Sequence, residues 1–421
     1  MAKAKGTSAT KAKATKPGAK TATRTKSAVM KSTAAKTAGA KPTSKGSAAK
    51  SATAKPAGGE PTAKTAGAKP RATGSAADTK SRGAAIKKVA RSKPGAGAPA
   101  DLLRAILDHP DDDRARLVYA DALQEAGDPR GEFIALSLAE GKEAAKRAKE
   151  LLDAHRQKSW QNFGAKGARF TWDRGFVHEV GCKARELAAA GPLMFEVEPI
   201  QSLAIYGYGD GQMAKILRFP LRISRLSLGV EPEDSEALAK AKTLGNVTWL
   251  QLSGFGNRSA KILGPSKAMP KLEYFSASLG NLNAEGMAAL ANGPLLANVR
   301  RLYLNQHDLD AEAIEILTSA PWASQLTTLA LSQNPVGDAG VAALASGKLS
   351  SLRTLYLAND WRRQGEPALG AGAADALVAA ATTTFENLEE LDLSWNITGE
   401  PLERVRAAYG KRLTMRVERF D

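Results

Sequence analysis

The stretch DPRGE, Asp128 to Glu132, sets two carboxylates and a guanidinium within five residues, a combination that could do acid–base work. Its spacing fits a plainer task. Asp128 is placed to accept the free N–H groups of a helix start, Pro129 suits the first helical position, and Glu132 lies in the first turn, where the helix dipole favours negative charge. No catalytic role is expected for Asp121, Asp128 or Glu132. Two other groupings invite chemistry. Cys182 and His178 offer a thiol and an imidazole, and Gly207-Tyr208-Gly209-Asp210-Gly211 lies between an expected strand and an expected helix, as a phosphate loop would. That loop lacks GxGxxG spacing, and the repeat register below sends Cys182 into the core with His178 at the second position, so an inert thiol and an ordinary turn are expected. Cys182 is the only cysteine, and His109, His155, His178 and His307 are scattered, so no disulfide, zinc site or cofactor is expected.

The elements that position these residues come from a repeat. The template apolar-x-x-apolar-x-apolar can be laid at Val177, Ile200, Ile223, Val247, Leu272, Val299, Leu326, Leu352 and Leu388. Steps run from 23 to 27 residues, except the last, which is 36 and contains an expected loop insertion over 361–372. In such a unit the fourth and sixth residues point into a core and the third and fifth face outward from a short strand. One unit cannot bury its own apolar face, so stacked neighbours must supply the core.

The outward positions read Arg225, Trp249 with Gln251, Tyr274, Arg301 with Tyr303, Tyr356, and Glu390 with Asp392. Trp, Tyr and Arg dominate binding hot spots, and the whole chain is only 5% aromatic. Two readings stand. The favoured one is a partner-binding face, and the other is ordinary packing between neighbouring repeats.

The clearest unit, LTTLALSQNPVGDAGVAALA at 326–345, resembles the ribonuclease-inhibitor class of leucine-rich repeat, in which strand and helix alternate. The resemblance implies an α/β solenoid, a horseshoe with short parallel strands on its concave face and helices on its convex face. Asn334 and Asn396 sit where that class places its asparagine ladder. His307, Asp360, Glu231, Gly280, Phe255 and Tyr208 replace the asparagine elsewhere, so irregular turns are expected.

Ahead of the repeats, residues 100–158 read as helices. Leu117, Ala120 and Leu123 fall on one face beside Tyr119, Gly127 suits a left-handed cap, and Phe133, Ile134, Leu136 and Leu138 make the next apolar side. A further amphipathic helix is expected from Lys142 to about Trp160 through Leu151 and Leu152. LLRAILDHPDDDRARLVYADALQEAGDPRGEFIALSLA, residues 102–139, resembles the repeat-companion domain of bacterial proteins. That resemblance implies a non-enzymatic segment preceding leucine-rich repeats, and a bacterial, cytoplasmic protein. The segment, with Phe170, Trp172 and Phe176, is expected to cap the first repeat, and Leu413, Met415 and Val417 to close the other end.

Residues 1–99 differ in kind. They hold 23 Lys and Arg against Glu60 and Asp78, lack Phe, Tyr, Trp and Leu, and repeat KTAGAKP at 36–42 and 64–70, within a chain of 421 residues and net charge +17. Without side chains to bury, such a segment cannot offset the roughly 1–2 kcal/mol per residue that backbone ordering costs, so disorder is expected. Its texture resembles linker-histone-like tails. Lys41, Lys69, Arg71, Lys87, Lys88, Arg91 and Lys93 are expected among residues that neutralise phosphates without reading bases. A spacer or a tether to an anionic membrane is the alternative. No apolar run approaches the ~18 residues of a membrane span, which with the missing signal segment points to a soluble, intracellular protein. The expected organisation is thus a tail over 1–99, a helical domain over 100–158 and a solenoid over 159–421, a non-enzymatic scaffold for an unknown protein partner. An unrecognised enzyme using the 361–372 insertion or the Gly207 loop is the remaining alternative.

Overall fold

A computed structural model of the chain describes residues 100–156, 163–359 and 368–415. The tail with all its named Lys and Arg, Asp360, the first part of the expected insertion and Val417 lie outside those residues.

Four helices come first: α1 (Ala100–Asp108), α2 (Asp113–Glu125), α3 (Pro129–Leu138) and α4 (Lys142–His155). Their starts follow local chemistry. Asp112 accepts from the N–H groups of Arg114 at 2.9 Å and Ala115 at 3.2 Å, Asp128 accepts from Arg130 N–H at 2.9 Å, and Gly127 takes a left-handed φ of 72° between α2 and α3. The two helices cross closely at Gly131, where a Cβ would stand 2.4 Å from the Ala120 carbonyl oxygen. Tyr119, Ala120, Leu123, Phe133 and Ile134 are buried, but Leu117 is 44% exposed and so departs from the apolar face expected for it.

The strands form one eleven-stranded sheet in chain order among the described residues. Two of them, β1 (Arg169–Asp173) and β2 (Phe176–Cys182), make an antiparallel hairpin. From β2 onward every pairing is parallel, through β3 (Ser202–Ile205), β4 (Arg225–Gly229), β5 (Trp249–Ser253), β6 (Tyr274–Ser278), β7 (Arg301–Asn305), β8 (Thr328–Ala330), β9 (Thr354–Tyr356), β10 (Glu390–Asp392) and β11 (Leu413–Thr414). Helices alternate with strands along this series and pack on one another in sequence. The sheet therefore opens with a hairpin, and its added strand β1 carries Phe170 and Trp172, expected only as apolar cover for the first repeat and both packed on the core.

The template places the core. Its fourth and sixth residues, such as Leu250 with Leu252, Leu302 with Leu304 and Leu329 with Leu331, are no more than 1% exposed. Each such leucine gains roughly 1.5–3 kcal/mol on burial, and the layer is continuous from Val177 to Tyr409. The turns after the strands are more regular than expected. The eighth template residue recurs in the left-handed region, at φ between 57° and 79°, as Gly207, Gly254, Leu279, Gln306, Gln333 and Trp395. Where asparagine is present it links repeats: Asn334 Nδ2 donates to the Leu304 and Leu331 carbonyls, and its Oδ1 accepts from His307 N–H and Leu309 N–H. His307 substitutes through its ring, with Nδ1 2.8 Å from the Gly280 carbonyl oxygen. No helix among the described residues is long and apolar enough to cross a membrane.

Candidate partner-binding face

Sheet register decides which outward residues share a row. The third template residues pair strand by strand, Arg225 with Trp249, Trp249 with Tyr274, Tyr274 with Arg301, Arg301 with Thr328, Thr328 with Thr354 and Thr354 with Glu390. The fifth residues form a second row, Gln251, Ser276, Tyr303, Ala330, Tyr356 and Asp392. Both rows lie on the face opposite the buried leucines because side chains alternate along a strand.

The first row is a stack. The Arg225 Cζ lies 4.7 Å from the Trp249 ring centroid, the Trp249 and Tyr274 rings are 5.0 Å apart and tilted by only 16°, and the Arg301 Cζ lies 5.4 Å from the Tyr274 centroid. Tyr303 joins from the second row, 5.0 Å from Tyr274 at 31°. Neighbouring strands are ~4.8 Å apart, so parallel rings on successive strands fall naturally at stacking distance. Burial lifts the Tyr274 and Tyr303 hydroxyls above the ordinary tyrosine value. Tyr356 Oη donates to Glu390 Oε2 at 3.1 Å, and burial together with that carboxylate pushes its pKa up to about 12.

Arg225, Gln251 and Arg301 are exposed, and Trp249, Tyr274, Tyr303, Tyr356 and Glu390 are half-buried, so these eight reach the surface as expected. Asp392 does not. It is 3% exposed, and its Oδ1 accepts from Ser394 N–H at 2.9 Å and from the Ser394 hydroxyl, so its carboxylate serves the turn rather than the surface. Ala330, in register between Tyr303 and Tyr356, is also buried. The aromatic residues thus pack on their neighbours and remain partly exposed, so the two readings of the row describe the same side chains.

The other groupings meet internal partners. Gly209 N–H donates to Asp234 Oδ2 at 3.2 Å, and a Cβ on Gly209 would stand 2.1 Å from Asp234 Oδ1. A carboxylate of the chain thus occupies the position that a bound anion would need. The helix that follows, Met213–Ile216, is a single turn and too short for a useful dipole. Cys182 is 1% exposed, and burial raises its thiol to about 11, against any nucleophilic role. Glu132 pairs with Arg147 at 2.9 Å. No three His, Cys, Asp or Glu side chains among the described residues converge to hold a metal ion.

Arg130 carries a function that local reasoning missed. From α3 its Nη2 reaches both oxygens of Glu198, at 2.8 and 2.9 Å, and Glu198 also accepts from Val177 N–H at 2.9 Å. Burial raises the Glu198 carboxyl, while Arg130 and the Val177 N–H act to lower it. The Arg130 and Arg116 guanidiniums stand 4.8 and 4.9 Å from the Phe176 ring, which is buried in the core of the helical segment. Partners 68 residues apart leave no local signal.

With this geometry in view, residues 324–345 match the family model of the leucine-rich repeat, and the units on either side share the sheet register of that stretch. No curated protein matches the chain. Among solved structures it is similar to the crystal structure of the Rad7 and Elc1 complex in yeast, at 11% identity and a TM-score of 0.30, covering 81% of this chain and 92% of that one. It is also similar to the plant peptide hormone receptor RGFR1 in complex with RGF2, at 13% identity and a TM-score of 0.26, covering 53% of this chain and 44% of that one. The described chain is thus a stack of strand–helix units that includes a leucine-rich repeat over residues 324–345.

Proposed function

We propose that the protein is a non-enzymatic interaction scaffold whose outward sheet rows bind a protein partner and whose basic tail binds nucleic acid without sequence preference. One observation carries the first half: Arg225, Trp249, Tyr274, Arg301 and Tyr303, types that dominate binding hot spots, share one surface and hold each other in place before any partner arrives. Preorganised side chains lose little freedom on binding, which leaves more of the contact energy for affinity. The second half rests on tail composition, 23 basic residues against two acids. The location that follows is cytoplasmic, and nucleoid-associated if the tail holds DNA.

Affinity capture with the full chain and with Trp249→Ala/Tyr303→Ala tests the face: a partner held by the first and lost by the second is expected, and equal capture contradicts the reading. The tail is tested by comparing the full chain with residues 100–421 on DNA at 50 and 200 mM salt, where about 10³-fold weaker binding at the higher salt is expected of the full chain alone. Salt-independent binding, or equal binding by the two proteins, would leave the tail as a spacer. Preference for anionic vesicles over DNA would make it a membrane tether.

A further inference from the structure

The two guanidiniums of the first row bear on the chemistry of a partner. This inference rests on the binding-face reading. Arg225 and Arg301 are exposed, each lies against an aromatic ring, and neither has an ion-pair partner among the described residues. They bracket Trp249 and Tyr274 in strict register, three strand-to-strand steps apart, which is about 14 Å at ~4.8 Å per step. The acidic outward residue Glu390 lies three strands beyond Arg301 and bonds Tyr356.

We propose that this row binds an acidic peptide segment lying extended across the strands, with one carboxylate on Arg225 and a second on Arg301. An extended chain advances ~3.3 Å per residue, so four residues span about 13 Å, and side chains four apart point to the same side. The segment recognised therefore carries acidic residues at i and i+4, with the residue at i+2 over the Trp249 and Tyr274 edges. Nucleic acid fits the row less well. Bases stack on open ring faces, whereas here Arg225 covers one face of Trp249, Tyr274 covers the other, and Arg301 and Tyr303 stand against Tyr274. What remains outward is ring edges and guanidinium donors, a surface suited to carboxylate acceptors.

The test uses the full chain and fluorescein-labelled twelve-residue peptides of identical Gly, Ser, Thr and Glu composition, with the glutamates at i,i+4 or adjacent. The basic tail attracts both peptides equally, so a spacing preference reports the face. Anisotropy titrations are expected to give the i,i+4 peptide about tenfold tighter binding, a preference that Arg225→Ala/Arg301→Ala removes, both sites being exposed. Equal binding of the two peptides, no binding by either, or a preference that survives in the double variant overturns the inference. So does a twelve-nucleotide oligothymidylate that displaces the i,i+4 peptide and itself loses affinity in the double variant, since that outcome makes nucleic acid the occupant. If the captured partner is lost with Trp249→Ala/Tyr303→Ala but kept with Arg225→Ala/Arg301→Ala, the binding face stands and only the acidic-peptide assignment falls.

Discussion

The junction between the helical segment and the first repeat is built differently from the junctions between repeats. At the first, directional bonds surround the apolar contact that Phe176 makes with the helical core: Arg130 holds Glu198, Arg116 donates to the Arg174 carbonyl, Arg174 pairs with Asp111 and Asp113, and Arg222 reaches Asp108 at 3.0 Å. Between repeats the joint is a layer of leucines, fixed by parallel strand pairing and an occasional asparagine. Successive repeats present the same shape to each other, so non-directional apolar packing suffices. A helical unit does not repeat that shape: Phe176 enters its core, and the directional bonds around that ring fix its orientation.

That contrast can be broken by mutation. Glu198→Ala leaves Arg130, 14% exposed in its side chain, without its carboxylate partner, and about 3–5 kcal/mol of stability should be lost in denaturant titration. A loss under about 1 kcal/mol would mean that the buried pair does not fasten the cap. Leu329→Ala, inside the stack, should cost about 2–5 kcal/mol through transfer and cavity terms. Leu117→Ala, on the exposed side of α2, should stay within about 0.5 kcal/mol, and a larger loss would restore Leu117 to the core.

A smaller effect separates the regions by pH. Burial pushes the Tyr119 hydroxyl, in the cap core, up to about 12. In the unfolded chain it ionises near pH 10 and in the folded chain only near 12, so its contribution is intact below pH 10 and is lost as pH rises toward 12. Thermal melts should fall across that window, with a shallower slope in Tyr119→Phe. An unchanged slope would assign the loss elsewhere, with Tyr356, also raised to about 12, the next residue to replace. The smallest effect is chemical: Cys182 should resist iodoacetamide at pH 8 until the chain unfolds.

The repeat was legible in the sequence because its signal is the core itself. Nine template starts fixed which leucines would be buried, and the same arithmetic placed Arg225, Trp249, Tyr274 and Arg301 in one row, as the strand pairing has it. The template assigns direction, not environment, and so it missed Asp392, where a serine two residues on draws the carboxylate into the turn. It could not anticipate Asp234 filling the Gly209 loop from 25 residues away, or Arg130 meeting Glu198. Those contacts join segments whose proximity only the folded stack creates. The antiparallel hairpin at the start was hidden because Phe170 and Trp172 would be apolar cover in either arrangement.

Hydroxyl-radical footprinting of the full chain, alone and with its captured partner, reads whether the aromatic row is where the partner sits. Trp249, Tyr274 and Tyr303 should lose reactivity together when the partner is bound, while the exposed Leu117 and Val378 on helices keep theirs. Protection confined to the helices, with the three aromatic side chains unchanged, would place the partner elsewhere and rule out the row as its binding face.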